Sequence, residues 1–182
     1  MQLRPYQQDA VDSAIAWMRE STEPALLGLS TGAGKSHIAA AIALWITQKT
    51  GKKVLVLQPS KELTSQNFEK YLATGEKASI FSASANSKCT RHNVVYATPK
   101  TVLNSISRFG DAFACVIVDE CHMTTPTIKE IIAHIAAKNP MLRVIGMTAT
   151  PYRMGTGYIY QYDATGERIS KLDTDETIDA YY

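Results

Sequence analysis

Two short segments of this 182-residue chain carry residue types suited to chemistry on a phosphate ester. The first is Thr31-Gly32-Ala33-Gly34-Lys35-Ser36-His37. Glycines at 32 and 34 let successive backbone N–H groups turn inward toward anionic oxygens. Lys35 could supply a mobile charge to terminal phosphates, and Ser36 a hydroxyl to Mg²⁺. His37 closes this candidate nucleotide-binding span. The common form of such loops has a further glycine five residues before Gly34, where this chain has Leu29. The second segment is Asp119-Glu120-Cys121-His122, which directly follows the apolar run Val116-Ile117-Val118. Its expected roles are distinct: Asp119 holds Mg²⁺, and Glu120 accepts a proton from an attacking water. Each segment alone has a plainer reading. One is a glycine turn with an exposed lysine, the other an acidic turn after a buried strand.

The surrounding sequence decides how such segments could be held. Tyr6, Ala10, Ile15 and Met18 recur at roughly helical spacing over residues 5–18, and Glu23-Pro24 ends that region. Residues 25–30 form a short strand-like run, and a helix follows the glycine loop to about Gln48. The β-branched and leucine run at 54–58 reads as a strand buried on both faces, and the segments at 78–82, 94–98, 114–118 and 143–147 also read as strands. Helices are expected between them at 60–72, 99–107 and 126–138, the last with Ile128, Ile131, Ile132 and Ile135 on one face. Strands alternating with helices imply an α/β fold, with a mostly parallel sheet covered on both faces. Ligands of such sheets sit at the carboxyl ends of the strands. Every candidate segment is expected at such an end.

Bulk properties set limits. The length suits one domain with a core large enough to fold unaided. The net charge of +2 argues for nothing alone, but it is uneven: residues 163–182 hold six acidic and two basic residues, so the body before them is mildly basic. Cys89, Cys115 and Cys121 give no disulfide framework and suggest reduced thiols. Cys89 and His92 form an isolated Cys-x-x-His without a second pair, read as chance. The start lacks the apolar core of a signal peptide. The longest apolar run, 38–46, is about half a membrane span.

Further segments complete an ordered set. Arg4-Pro5-Tyr6-Gln7 precedes the glycine loop. Pro59-Ser60-Lys61-Glu62-Leu63 with Gln66, and then Thr98-Pro99-Lys100, fall between loop and acidic box. Thr148-Ala149-Thr150-Pro151 follows the box. In this order the chain resembles the first RecA-like domain of superfamily 2 helicases of the DEAD/DEAH-box group, a P-loop NTPase fold. Asn139-Pro140, Leu142-Arg143, the stretch from Gly146 to Arg153 and that from Gly157 to Gln161 are similar to RadD-type DNA repair helicases of bacteria and phages.

The resemblance implies ATP and Mg²⁺ as cofactors and Lys35, Asp119 and Glu120 as the catalytic set, with Ser36 and Asp119 toward the metal. It implies that Gln7 reads the adenine edge with Arg4 packed nearby. His122, Thr148 and Thr150 would relay the state of the acidic box. Pro59, Ser60, Lys61, Gln66, Thr98, Pro99 and Lys100 would touch a nucleic-acid backbone, DNA in the leading reading, without base information. His37 and His134 lie on expected helices, where a structural role is the simpler one.

The implied activity is that of an ATP-dependent DNA helicase or translocase in a bacterial or phage-infected cytoplasm, with no membrane partner. Two alternatives stay open: the duplex translocase of a restriction or defence complex, and a non-catalytic nucleotide-binding regulator. Residues 1–160 would be the ATP-binding domain and 161–182 an acidic connection. Family members complete their site with arginines from a second RecA-like domain, and the roughly thirty residues after Arg153 are too few to form one. A fragment of a longer protein, or a partner chain, is therefore expected, with slow hydrolysis by this chain alone.

Overall fold

The computed structural model describes residues 2–153 and 157–159. Its frame is a seven-stranded sheet in the order β1-β7-β6-β2-β5-β3-β4. The strands are β1 (Ala25–Gly28), β2 (Lys53–Leu57), β3 (Ala78–Ser82), β4 (Ser87–Lys88), β5 (Val94–Ala97), β6 (Phe113–Asp119) and β7 (Arg143–Thr148). All neighbouring pairs are parallel except β3 with β4. Parallel neighbours need long crossovers, and these carry the helices.

The helices are α1 (Pro5–Glu20), α2 (Lys35–Thr50), α3 (Lys61–Leu72), α4 (Pro99–Leu103) and α5 (Pro126–Lys138). One core lies between the sheet and α1, α2 and α3, built on Val54, Val56, Tyr96, Cys115, Ile117, Ile42 and Ile46. The other lies against α4 and α5, built on Leu55, Leu57, Val116, Val118, Ile131 and Ile135. Alternate residues of β2 and β6 thus feed opposite cores, which is why their sequences are apolar without interruption. α2 is rich in alanine and isoleucine, and Ile38, Ala39, Ala40, Ile42, Ala43 and Ile46 are all buried.

Polar ties fix the ends. The Lys53 ammonium donates to the carbonyls of Thr90, Arg91 and His92 at 2.9, 3.2 and 2.9 Å, fastening the approach to β5. Buried Asn139 donates to Phe113 O at 2.9 Å and accepts from Met141 N at 3.2 Å, joining the exit of α5 to the start of β6. Arg143 Nε donates to Met18 O at 2.8 Å, tying α1 to β7.

The expected fold class and element order match the structure, with three differences. The helix expected at 99–107 breaks after Leu103 and resumes as a 3-10 turn over Ile106–Arg108. Packing of Phe109 against Phe81 and Phe113, at 5.1 and 5.2 Å between ring centroids, pulls the chain inward there. The polar stretch after β3 adds the short antiparallel strand β4. After β7, β8 (Tyr152–Arg153) and β9 (Gly157–Tyr158) pair antiparallel, and Ile159 is buried in the α5-side core. The acidic tail lies outside the described residues.

Ile117 is fully buried in the central strand. Ile117→Ala is expected to cost about 3 kcal/mol through lost burial and an unfilled cavity, read as a lower urea midpoint at unchanged slope.

Candidate nucleotide site at the carboxyl edge of the sheet

The glycine loop runs from the end of β1 to the first turn of α2. Gly32 and Gly34 adopt φ +82° and +81°, a left-handed conformation that strongly favours glycine. Gly34 is tighter still, because a Cβ there would collide with Gln7 Nε2. Gly34 caps α2, whose first residue is Lys35. The loop therefore presents its amides and the positive end of a sixteen-residue helix together.

Arg4–Gln7 is not at a strand end, contrary to expectation. It forms the entry to α1, and α1 packs beside α2. Gln7 is buried; it accepts from Arg4 N at 2.9 Å and donates to Ala33 O at 2.8 Å. The Tyr6 hydroxyl also donates to Ala33 O, at 3.2 Å. The segment is thus bolted to the glycine loop through its carboxamide. Arg4 is exposed, as is His37.

β6 carries the acidic box to the same edge. Asp119 ends the strand, and Glu120 turns sharply, with φ +50° and ψ +47°. Successive strand residues point to opposite faces, so only such a turn lets both carboxylates meet the loop. Non-glycine residues adopt this conformation at a cost, and such strain collects at functional sites. Glu120 Oε1 lies 3.0 Å from Lys35 Nζ, joining loop and box directly. His122 Nδ1 is 3.5 Å from Glu120 Oε2 and 2.7 Å from Thr148 Oγ1. Thr148 Oγ1 also accepts from Thr150 N at 3.0 Å, so His122 and Thr148 form a chain running away from Glu120, with Thr150 attached through its backbone. The Thr148 carbonyl meanwhile accepts from Leu29 N at 2.8 Å, fixing the loop's entry.

Asp119 is only 8% exposed. Its Oδ1 accepts from Glu120 N at 3.0 Å and its Oδ2 faces Asn67 Nδ2 at 3.5 Å. Burial, and then the neighbouring Glu120 charge, push its pKa above the usual carboxylate range. A cation beside it would oppose that shift. Among the described residues no three His, Cys, Asp or Glu side chains gather to hold a metal unaided. A serine hydroxyl and one carboxylate suit Mg²⁺, a hard ion that completes its shell with water and phosphate oxygens.

The expected nucleic-acid residues sit apart from these, at two adjacent strand ends. β2 and β5 are paired, with Leu57 opposite Ala97, and their exits lead to Lys61 and Lys100. Both lysines are exposed, as are Pro59 and Gln66. The Ser60 side chain caps α3 by accepting from Leu63 N at 3.3 Å. The Thr98 hydroxyl is paired with that of Thr101 at 2.9 Å. Sequence reading overlooked Tyr6, Gln58 and Asn67 as parts of the site. Gln58 was signalled only by polarity at the end of an apolar strand. Asn67 was masked by Gln66, whose side chain faces solvent instead.

A parallel sheet whose carboxyl edge joins a glycine loop to two carboxylates is a P-loop NTPase domain of the RecA-like helicase type. Residues 1–153 match the family described as "Type III restriction enzyme, res subunit", and the chain belongs to that family. It is similar to the ATP-dependent DNA helicase fml1 of Schizosaccharomyces pombe, with 28% identity over 163 residues, 81% of this chain and 19% of that protein. Among solved structures it is similar to the UvsW helicase of bacteriophage T4, at a TM-score of 0.68 and 24% identity, covering 83% of this chain and 54% of that one. The Pyrococcus furiosus Hef helicase domain gives a TM-score of 0.68 and 24% identity, covering 84% and 34%. The chain spans about a fifth or less of the length of the curated relatives it matches.

Gly34→Ala is expected to cost about 2 kcal/mol, from the left-handed backbone and from contact with Gln7. Thermal unfolding of Gly34→Ala against the parent, and of the double variant with Gln7→Ala against Gln7→Ala alone, separates the two. The second difference should keep the backbone part and lack the contact part.

Proposed function

We propose that this chain is the nucleotide-binding half of an ATP-driven DNA helicase or translocase motor. The observation that carries the reading is the 3.0 Å approach of Lys35 to Glu120 at the carboxyl edge of the sheet. It puts the phosphate-binding cation and the candidate general base in one place, in a family whose relatives include ATP-dependent DNA helicases.

Each residue then has a task. The loop amides from Gly32 to Ser36 and the start of α2 hold the phosphates. On nucleotide binding, Lys35 exchanges its carboxylate partner for phosphate oxygens. Glu120, released from that pair, is free to take a proton from water aligned with the terminal phosphate. Ser36 and Asp119 would hold Mg²⁺, which supplies charge neutralisation on the phosphates. Gln7 and Arg4 would receive the adenine, with Gln7 linking base recognition to the loop through Ala33. His122, Thr148 and Thr150 would pass the state of Glu120 along their hydrogen bonds toward the nucleic-acid side. Pro59, Ser60, Lys61, Gln66, Thr98, Pro99 and Lys100 would contact the phosphate backbone. Residues 1–160 would form the ATP-binding domain and 161–182 the link to a second motor domain, from this polypeptide or a partner, that supplies the remaining transition-state charge. The setting we propose is DNA repair in a bacterial or phage-infected cytoplasm. The family description favours one further reading, duplex translocation within a restriction complex.

Lys35→Ala is expected to abolish binding of a fluorescent ATP analogue. Glu120→Gln should retain binding yet lower turnover of the complete protein at least about 100-fold. Turnover measured with single-stranded DNA, duplex DNA and RNA shows which of these nucleic acids stimulates the motor. Rapid DNA-stimulated hydrolysis by the 182 residues alone would contradict the need for a second domain.

Changing Lys61 and Lys100 together to alanine should lower DNA affinity for all sequences alike and reduce the salt slope by about 2. An unchanged slope in a salt titration would remove both from the interface.

A further inference from the structure

The segment from Gln58 to Asn67 touches Asp119 at both of its ends. Gln58 follows β2 directly, and in the parallel register with Leu57 opposite Val118 it stands beside Asp119. Its carboxamide there favours the ionised form of the Asp119 carboxylate. Its Oε1 is buried with no hydrogen-bond partner. Asn67, two turns into α3, directs Nδ2 at Asp119 Oδ2 from 3.5 Å. Gln58 is 1% exposed and Asn67 6%. Burying two carboxamides is costly unless their hydrogen bonds are used. Here both converge on one carboxylate.

Their placement has a second aspect. Between Gln58 and Asn67 lie Ser60, which caps α3, and exposed Lys61, its first residue. Thr64 Oγ1 donates to Ser60 O at 2.7 Å, so the first turn of α3 is rigidly coupled to the cap. Any displacement of α3 shifts the donor on Asp119 Oδ2.

We propose that Gln58 and Asn67 are positioning residues that orient the Asp119 carboxylate toward a Mg²⁺–nucleotide and make that orientation depend on the seating of α3. This rests on the reading of Asp119 as a metal ligand. Residues that orient a ligand of this kind typically change metal affinity about 10-fold or more when removed.

The test is the affinity of the 182-residue chain for a fluorescent ATP analogue, measured with Mg²⁺ and again with EDTA. The ratio of the two constants reports the metal-dependent part alone. Asn67→Ala and Gln58→Ala are each expected to reduce that ratio about 10-fold. Their affinities in EDTA should match the parent chain, showing the glycine loop intact. Asp119→Asn is expected to bring the ratio to about one. If Asn67→Ala and Gln58→Ala keep the parent ratio while Asp119→Asn loses it, the positioning role is wrong and the metal-ligand reading stands. If Asp119→Asn also keeps the parent ratio, both fall. Should Asn67→Ala fail to fold, Asn67→Ser, which keeps a donor but shortens its reach, is read against the same outcomes.

Discussion

The inner strands of this sheet are buried on both faces, so polar chemistry can begin only where they stop. β6 is apolar from Val116 to Val118 and reaches its first carboxylate at Asp119; β2 is apolar from Val54 to Leu57 and reaches its first carboxamide at Gln58. Because the strands are parallel, these endings fall on one edge. The site follows from the sheet's direction: a dry interior expels polar groups to its rim, and parallel pairing brings the rims of several strands into register.

At that rim, opposing requirements are met by a few local distortions. Two carboxylates must face one loop although neighbouring strand residues diverge, and the left-handed turn at Glu120 resolves this. A glycine loop must curl around an anion while α1 presses on it, and the bare Cα of Gly34 leaves room for Gln7. Lys35 needs a counter-charge when no phosphate is present, and Glu120 provides one. Each device settles one conflict between burial, charge and chain direction. Together they leave the nucleotide edge pre-shaped.

Much of this was legible in the residues. The alternation of apolar runs with helical segments gave the layer order, and the spacing from Gly32 to Ser36 and from Asp119 to His122 located loop and box. What escaped reading was contact across the chain. Nothing in the local pattern of residues 58–67 says that Asn67 rather than Gln66 turns inward, because helix phase relative to a distant carboxylate is fixed only by packing. The attachment of Tyr6 and Gln7 to Ala33 was likewise hidden, since it depends on how α1 lies on α2. The broken helix after Leu103 reflects aromatic packing between residues from β3 and β6, again invisible to periodicity.

The pairing of β1 carries a consequence for the birth of the molecule. Among the described residues β1 is an edge strand whose only neighbour in the sheet is β7, with Ala25 opposite Ile145 and Gly28 opposite Thr148. Synthesis delivers the amino-terminal residues first, and closure of so long a loop is slow. The glycine loop therefore leaves the ribosome long before the strand that will hold its base in place. Until residues 143–148 arrive, β1 has no sheet to join. The glycine loop is thus among the earliest segments made, while the strand that fixes its entry is among the last. A nascent chain ending short of Thr148 lacks the carbonyl that holds Leu29 at the loop's entry.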